Sequence, residues 1–419
     1  MSSLATIAKA EAELLVPTYE RHRVLFREGR GCYLYDDEGR RYLDFLSGLG
    51  VNALGYNHAA VRKVLREQSA KLIHISNLFY HDYQAQLARK LTKISGLDRA
   101  FFCNSGTEAI EGALKLARAY ARATNSNGSK PRWRVLAMDN SFHGRTFGAL
   151  AATSTLKYRE PFGPLMPGVR FVRSGDVADL ERKFDSTVCA ILLEPVQGEG
   201  GICPLGQEFL QRARELSAKC GAVLIADEIQ CGLGRTGCWF AYQHFGIKPD
   251  IVTVAKPLAA GLPLGAILSS SAVAGAIHPG LHGTTFGGGP LACAVALAVL
   301  DTIERDNLLK HAREVGAYAQ QQLGKLKQRH SIIREVRGLG VMLAIELTNG
   351  EAAKFAAAEC LKRGVIINRT HEVVLRMLPP FIIEKRHVDV LISTLEDVLN
   401  AWESGRKQSA SEGRKNGRT

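Results

Sequence analysis

Three short stretches of this chain carry residue types that do covalent and acid–base chemistry. In DIVTVAKPLAAGLPLGA, Asp250 to Ala266, a single lysine, Lys256, stands among apolar residues and glycines. Taking an ammonium out of water is costly. A lysine in such company either ends a strand and carries its charge to solvent, or is held neutral and used covalently. In VLIADEIQCGLGRTG, Val223 to Gly237, Asp227 closes a run with the composition of a buried strand. Open α/β sheets bind ligands at that edge, and a buried carboxylate needs a partner there. The partner is an arginine such as Arg235, a helix N-terminus, or a protonated ring nitrogen. In FFCNSGTEAIEGALKLARAY, Phe101 to Tyr120, Ser105 and Glu108 have capping-box spacing. Ile110, Ala113, Leu114 and Ala117 then form one apolar helix face. A helix therefore begins near Gly106. Ser105, Gly106 and Thr107 either cap it in the ordinary way or offer first-turn amides and a hydroxyl to a phosphate.

The elements that must position these groups are legible in outline. WRVLAMD (133–139), VCAILLEP (188–195), AVLIADE (222–228) and DIVTVAK (250–256) are continuous apolar, β-rich runs with helical patterns between them. That alternation predicts an α/β fold with a mostly parallel central sheet covered by helices on both faces. GCYLYDDEGRRYLDFLSGLG (31–50) alternates about a DDEGR turn and reads as a small antiparallel unit. Beyond a long helical stretch, IIREVRGLGVMLAIEL and GVIINRTHEVVLRMLPP bracket another helix, an α+β unit expected to pack with the N-terminal arm. The resulting division is 1–57, N-terminal arm and part of a small domain; 58–305, large domain; 306–403, C-terminal small domain; and 404–419, a disordered basic tail.

Composition narrows the class. The 419 residues, 46% of them hydrophobic, are enough for a large core. No apolar run is long enough for a bilayer and the first residues lack a secretory pattern, so the cytoplasm is the expected location. The nine cysteines form no metal-type cluster and read as reduced thiols. The formal net charge of +13 fits anionic small ligands and the tail. No zinc, RNA-binding or helix-turn-helix pattern accompanies it, and no nucleic-acid partner is expected.

A phosphate cradle, a buried carboxylate and a buried lysine gathered at one sheet edge are what pyridoxal phosphate requires. The lysine condenses with its aldehyde, the carboxylate keeps its ring nitrogen protonated, and the helix start holds its phosphate.

With these residues go the motifs NSGTEAIEGALKLAR, FHGRT, EPVQGEGG, ADEIQCGLGRTG, AKPLAAGLPLGA, HGTTFGGGPLACA and RMLPP. Through them the chain resembles the class-III (ornithine-type) pyridoxal-phosphate-dependent aminotransferases of fold type I, from about Thr18 to Trp402. Within that family the likeness is greatest to the acetylornithine aminotransferases.

The resemblance implies a role for each matching residue. Gly106 and Thr107, beside Ser105, would bind the cofactor phosphate, and Phe142 would stack on its ring. Asp227 would pair with the ring nitrogen, with Gln230 near the phenolic oxygen. Lys256 would be the covalent lysine and proton carrier. Thr285 would reach the phosphate in the partner subunit of an obligate homodimer with shared active sites, and Thr284 would lie at the substrate mouth. Arg376 would clamp a carboxylate, with Glu194 shielding it when the amine donor is bound. Arg145 would meet the donor's α-carboxylate, and Glu199 would line the entrance. The implied reaction moves the terminal amine of N2-acetyl-L-ornithine to 2-oxoglutarate. Other ω-amine donors, an aminomutase-type isomerase and a non-catalytic cofactor-binding regulator are the alternatives. One departure stands out. The family has glycine after the lysine, whereas Pro257 follows Lys256 here, and a following proline favours extended backbone at Lys256.

Overall fold

The structure is a computed structural model that describes residues 3–125 and 132–416, with residues 406–416 described by their backbone alone. Its centre is a seven-stranded sheet. The strand order is Arg99–Cys103, Gly265–Ser269, Ile251–Val254, Val223–Asp227, Val188–Leu193, Arg134–Met138 and Val169–Val172. The last five run parallel. Gly265–Ser269 runs antiparallel to both of its neighbours. Every residue of Val188–Leu193, Val223–Asp227, Ile251–Val254 and Gly265–Ser269 is buried. This is why these strands read as unbroken apolar runs: helices cover both faces, so neither side of a strand meets water.

The helix Gly106–Ala123 follows the edge strand Arg99–Cys103 directly. It buries Ala109, Ile110, Ala113, Leu114 and Ala117 against the sheet. Because Ser105, two residues past the strand's end, caps the helix, the first-turn amides sit at the carboxyl edge of the sheet.

The two ends of the chain meet in one small sheet. Strands Phe26–Arg30, Tyr33–Asp36 and Arg41–Asp44 form an antiparallel meander. Val365–Ile366 adds to its edge in parallel with Arg41–Asp44. A second antiparallel sheet has the order Ile333–Leu339, Met342–Leu347, Val374–Met377, Asn368–Thr370. Arg376 projects from its third strand. The helix Lys385–Asn416 then runs through most of the stretch for which a disordered basic tail was expected. A helix already nucleated by packed residues such as Leu391, Leu395 and Leu399 propagates cheaply through a segment that contains no proline. Residues 417–419 lie outside the described residues. The nine cysteines are all free thiols.

Candidate active site

At the carboxyl edge of the parallel strands lies a cavity of about 400 Å³. Ser105, Gly106, Thr107, Phe142, Arg145, Glu194, Glu199, Asp227, Gln230 and Lys256 all line it. Segments as far apart in the chain as Ser105 and Lys256 thus converge on one space.

Lys256 begins a short 3-10 turn, Lys256–Ala259, with a backbone φ of +21°. This corrects the extended geometry expected from Pro257. A proline at the start of a helical turn gives up an N–H that would have no partner there anyway, so the turn accommodates it. The lysine Nζ makes no hydrogen bond or salt bridge among the described residues. Burial pushes its pKa below the ordinary lysine value and Arg376 adds to the effect, against the opposing pull of Glu199, Asp227 and Glu194.

Asp227 is buried at the end of its strand. Its Oδ2 accepts a 2.7 Å hydrogen bond from His143 Nδ1, and its Oδ1 accepts from the Ile229 amide at 3.1 Å and from Thr253 Oγ1 at 3.3 Å. Its partner is therefore a histidine that sequence reading passed over. The signal lay in the FHGRT motif, next to Phe142. Arg235, the arginine considered as a partner, points elsewhere. It is fully buried, donates to the carbonyls of Pro379 and Gly50, and lies over the Phe381 ring at 4.6 Å. Burial pushes its pKa down to about 9.

The helix start is built as the spacing predicts, with one shift. Ser105 Oγ accepts the Glu108 amide at 3.3 Å. The Glu108 carboxylate reaches past Ser105 to the backbone and side-chain nitrogens of Asn104, both at 2.9 Å. The amides of Gly106 and Thr107 are left without an acceptor among the described residues. A Cβ on Gly106 would come within 2.9 Å of the Ile229 side chain, so only glycine leaves this corner open.

The pairing expected of Glu194 is made by its neighbour in the loop, and Glu194 itself is buried. Glu199, not Glu194, pairs with the Arg376 guanidinium, at 2.5 Å. Arg376 is buried and also donates to Asn368 Oδ1 at 3.1 Å and to Gln230 Oε1 at 3.3 Å. Glu194 instead accepts the amides of Phe142 at 3.0 Å and Gly198 at 2.9 Å. Burial, reinforced by Asp227 and opposed by His143, pushes its pKa up to about 7. Arg145 makes no salt bridge among the described residues. Thr284 and Thr285 do not line the cavity of their own chain. They lie in a neighbouring hollow with Asn104 and Glu108, where Thr284 Oγ1 accepts from Asn104 Nδ2 at 3.2 Å.

This sheet-edge lysine, carboxylate and helix start belong to a known family, for the class-III aminotransferase description matches residues 16–399. The chain is a class-III aminotransferase. It is 45% identical over 384 residues to the acetylornithine aminotransferase of Methanocaldococcus jannaschii, covering 91% of this chain and 94% of that one. To the acetylornithine aminotransferase of Aquifex aeolicus it is 43% identical, over 92% of this chain and 99% of that one. Among solved structures, the ornithine aminotransferase of Toxoplasma gondii matches with a TM-score of 0.92 at 31% identity, over 97% of each chain. The acetylornithine aminotransferase of Elizabethkingia anophelis matches at 0.85 and 29%, over 96% of this chain and 100% of that one.

The cofactor of this class-III aminotransferase is pyridoxal phosphate, and the residues present fit it. Among the described residues the Lys256 amine faces the cavity uncommitted, and the amides of Gly106 and Thr107 have no acceptor. The buried Asp227 carboxylate lines the same space, held from behind by a histidine whose Nε2 has no partner.

Proposed function

We propose that this enzyme transfers the terminal amine of N2-acetyl-L-ornithine to 2-oxoglutarate, giving N-acetyl-L-glutamate 5-semialdehyde and L-glutamate, as a cytoplasmic homodimer with shared active sites. The observation that carries the reading is the contrast between two arginines, Arg145 in the cavity lining and Arg376 buried behind the lining residues Glu199 and Gln230. Arg376 is occupied by Glu199, whereas Arg145 has no carboxylate partner among the described residues. An enzyme that alternates between a donor with one carboxylate and an acceptor with two needs one receptor always open and one that can be closed. Relatives named acetylornithine aminotransferase, 41–45% identical over more than 90% of this chain, support the choice of donor.

Pyridoxal phosphate, when bound, supplies an aldehyde that takes up the amine and a ring that accommodates an electron pair. Gly106 and Thr107 would hold its phosphate, Phe142 would flank its ring, Gln230 would lie near its phenolic oxygen, and Asp227 would keep its ring nitrogen protonated. His143 orients Asp227 by its 2.7 Å hydrogen bond. Lys256 Nζ, its pKa lowered by burial, takes the proton from the carbon bearing the donor's amine and later gives it up within the same cavity. Glu199 covers Arg376 while the donor is bound and yields it to the second carboxylate of 2-oxoglutarate.

The dimer reading rests on an exposed apolar surface. Leu78, Phe79, Tyr80, Leu281 and Phe286 are all exposed. Asn77 ties their two segments together through the carbonyls of Thr284 at 3.2 Å and Gly287 at 3.1 Å. A patch of this kind marks a contact site. Thr285 is next to Phe286 in this patch, and in such a dimer it would reach the partner's cofactor phosphate.

The testing experiment is a half-reaction. The cofactor-loaded protein is mixed with N-acetylornithine, ornithine, 4-aminobutyrate or glutamate, without acceptor, and its visible absorbance is followed. Fastest bleaching by N-acetylornithine, reversed by 2-oxoglutarate and absent in Lys256→Ala, is the expected result. Faster bleaching by another amine would reassign the donor.

A further inference from the structure

We infer that Tyr158 is a positioning residue that fixes donor specificity by holding the Arg145 guanidinium by its face. The inference rests on the reading of Arg145 as the receptor for the donor's α-carboxylate. The Arg145 guanidinium carbon lies 3.9 Å from the centre of the Tyr158 ring. It also lies 5.4 Å from the ring of Phe142, and the two rings meet edge to face at 6.5 Å. No side-chain hydrogen bond or salt bridge of Arg145 occurs among the described residues.

A guanidinium is planar, with all its N–H donors in the plane. An aromatic ring beneath its face attracts the charge through the quadrupole and uses none of those donors. Arg145 is thus held in place with every donor still free for a bidentate carboxylate. Arg376 is held in the opposite way, edge-on, by Glu199, Gln230 and Asn368. It must shed a partner before it can bind a ligand.

Tyr158 lies on the short helix Leu156–Arg159 and is half-buried. It lines an outer hollow of about 700 Å³ that it shares with Glu199. Arg145 and Glu199 line the inner cavity. The Tyr158 ring is therefore part of the wall between the two spaces. A donor carrying a carboxylate on the carbon remote from its reacting amine would rest that carboxylate here. Lys157 Nζ sits 5.5 Å from the same ring.

The experiment compares N2-acetylornithine with N-acetylputrescine, the same amine lacking the α-carboxylate, in steady state with the loaded enzyme. Four proteins are used: wild type, Arg145→Ala, Tyr158→Leu and Tyr158→Phe. Tyr158→Leu is expected to raise the KM for N2-acetylornithine about fivefold at unchanged kcat. It should leave N-acetylputrescine alone, and Tyr158→Phe, which keeps the ring face, should restore the wild-type KM. Three results overturn the inference. If Tyr158→Leu affects both donors equally, the ring is only part of the scaffold. If Tyr158→Leu affects neither donor while Arg145→Ala still separates them, Arg145 is held by something else and its own role stands. If Arg145→Ala does not separate the donors, the reading of Arg145 fails and this inference fails with it.

Discussion

Glu199 and Arg376 form an ion pair across two separate parts of the fold, the glutamate from the loop after the central strand Val188–Leu193 and the arginine from the strand Val374–Met377. Glu199 lines the cavity with its side chain 35% exposed, and the arginine lies fully buried behind it. The partially wetted partner is the one free to move.

Replacing Glu199 by glutamine should therefore open the site to dicarboxylates. The ratio of half-reaction rate constants for glutamate over N-acetylornithine is expected to rise about fivefold, the worth of a partly exposed pair. Stopped-flow absorbance with each amine separately checks this. An unchanged ratio would mean that Glu199 does not compete for Arg376.

Gly106→Ala should weaken cofactor binding at least about tenfold, because the new methyl meets Ile229 at 2.9 Å and one of the two must move. The double variant Gly106→Ala/Ile229→Ala should recover most of the affinity. Titration of the cofactor-free protein by fluorescence measures both. Failure of the second change to rescue the first would show that the amide cradle itself had been displaced.

Removing the imidazole in His143→Leu deprives the Asp227 carboxylate of its charge-assisted hydrogen bond while leaving Ile229 and Thr253 in place. A loss of about 10- to 100-fold in the donor half-reaction is expected. His143→Asn, which keeps a donor, should recover part of it. Single-turnover kinetics on the loaded variants give the comparison.

Lys256 makes a pH-dependent contribution to the stability of the cofactor-free protein. Its folded pKa is lowered by burial from the usual 10.5. The folded state therefore binds fewer protons than the unfolded state between the lowered value and 10.5, so stability rises with pH across that window. Below it the penalty is fully present. Lys256→Met is expected to melt higher than wild type at neutral pH, by about 2 °C, with the gap closing as pH rises toward 10. Calorimetric scans across that range test it, and a gap independent of pH would exclude the charge as its cause.

Much of this site was visible in the sequence because its residues are out of keeping with their surroundings. Lys256 and Asp227 are charged groups in apolar runs, and Gly106 sits where a helix must begin. Each stands out against local physics. What stayed hidden depends on long-range packing. Glu194 and Glu199 lie five residues apart in one glycine-rich loop, and nothing local says which faces a strand almost 180 residues later. His143 was masked by the aromatic residue before it. The antiparallel sense of Gly265–Ser269 cannot be read from an apolar run whose two faces are both covered. Pro257 misled for the opposite reason: its general preference yielded to a turn that spares the missing N–H.

That turn sits between two strands that are hydrogen-bonded to each other, Ile251–Val254 and the returning Gly265–Ser269, with Val254 opposite Ala266. The root of Lys256 is thus stitched into the buried central sheet, and its four-carbon stem is what is left to swing. The amine works as a short leash on a fixed post. Its sweep is the same whatever amine enters, so diversification among such enzymes has to come from the walls around the sweep, and the post can stay where it is.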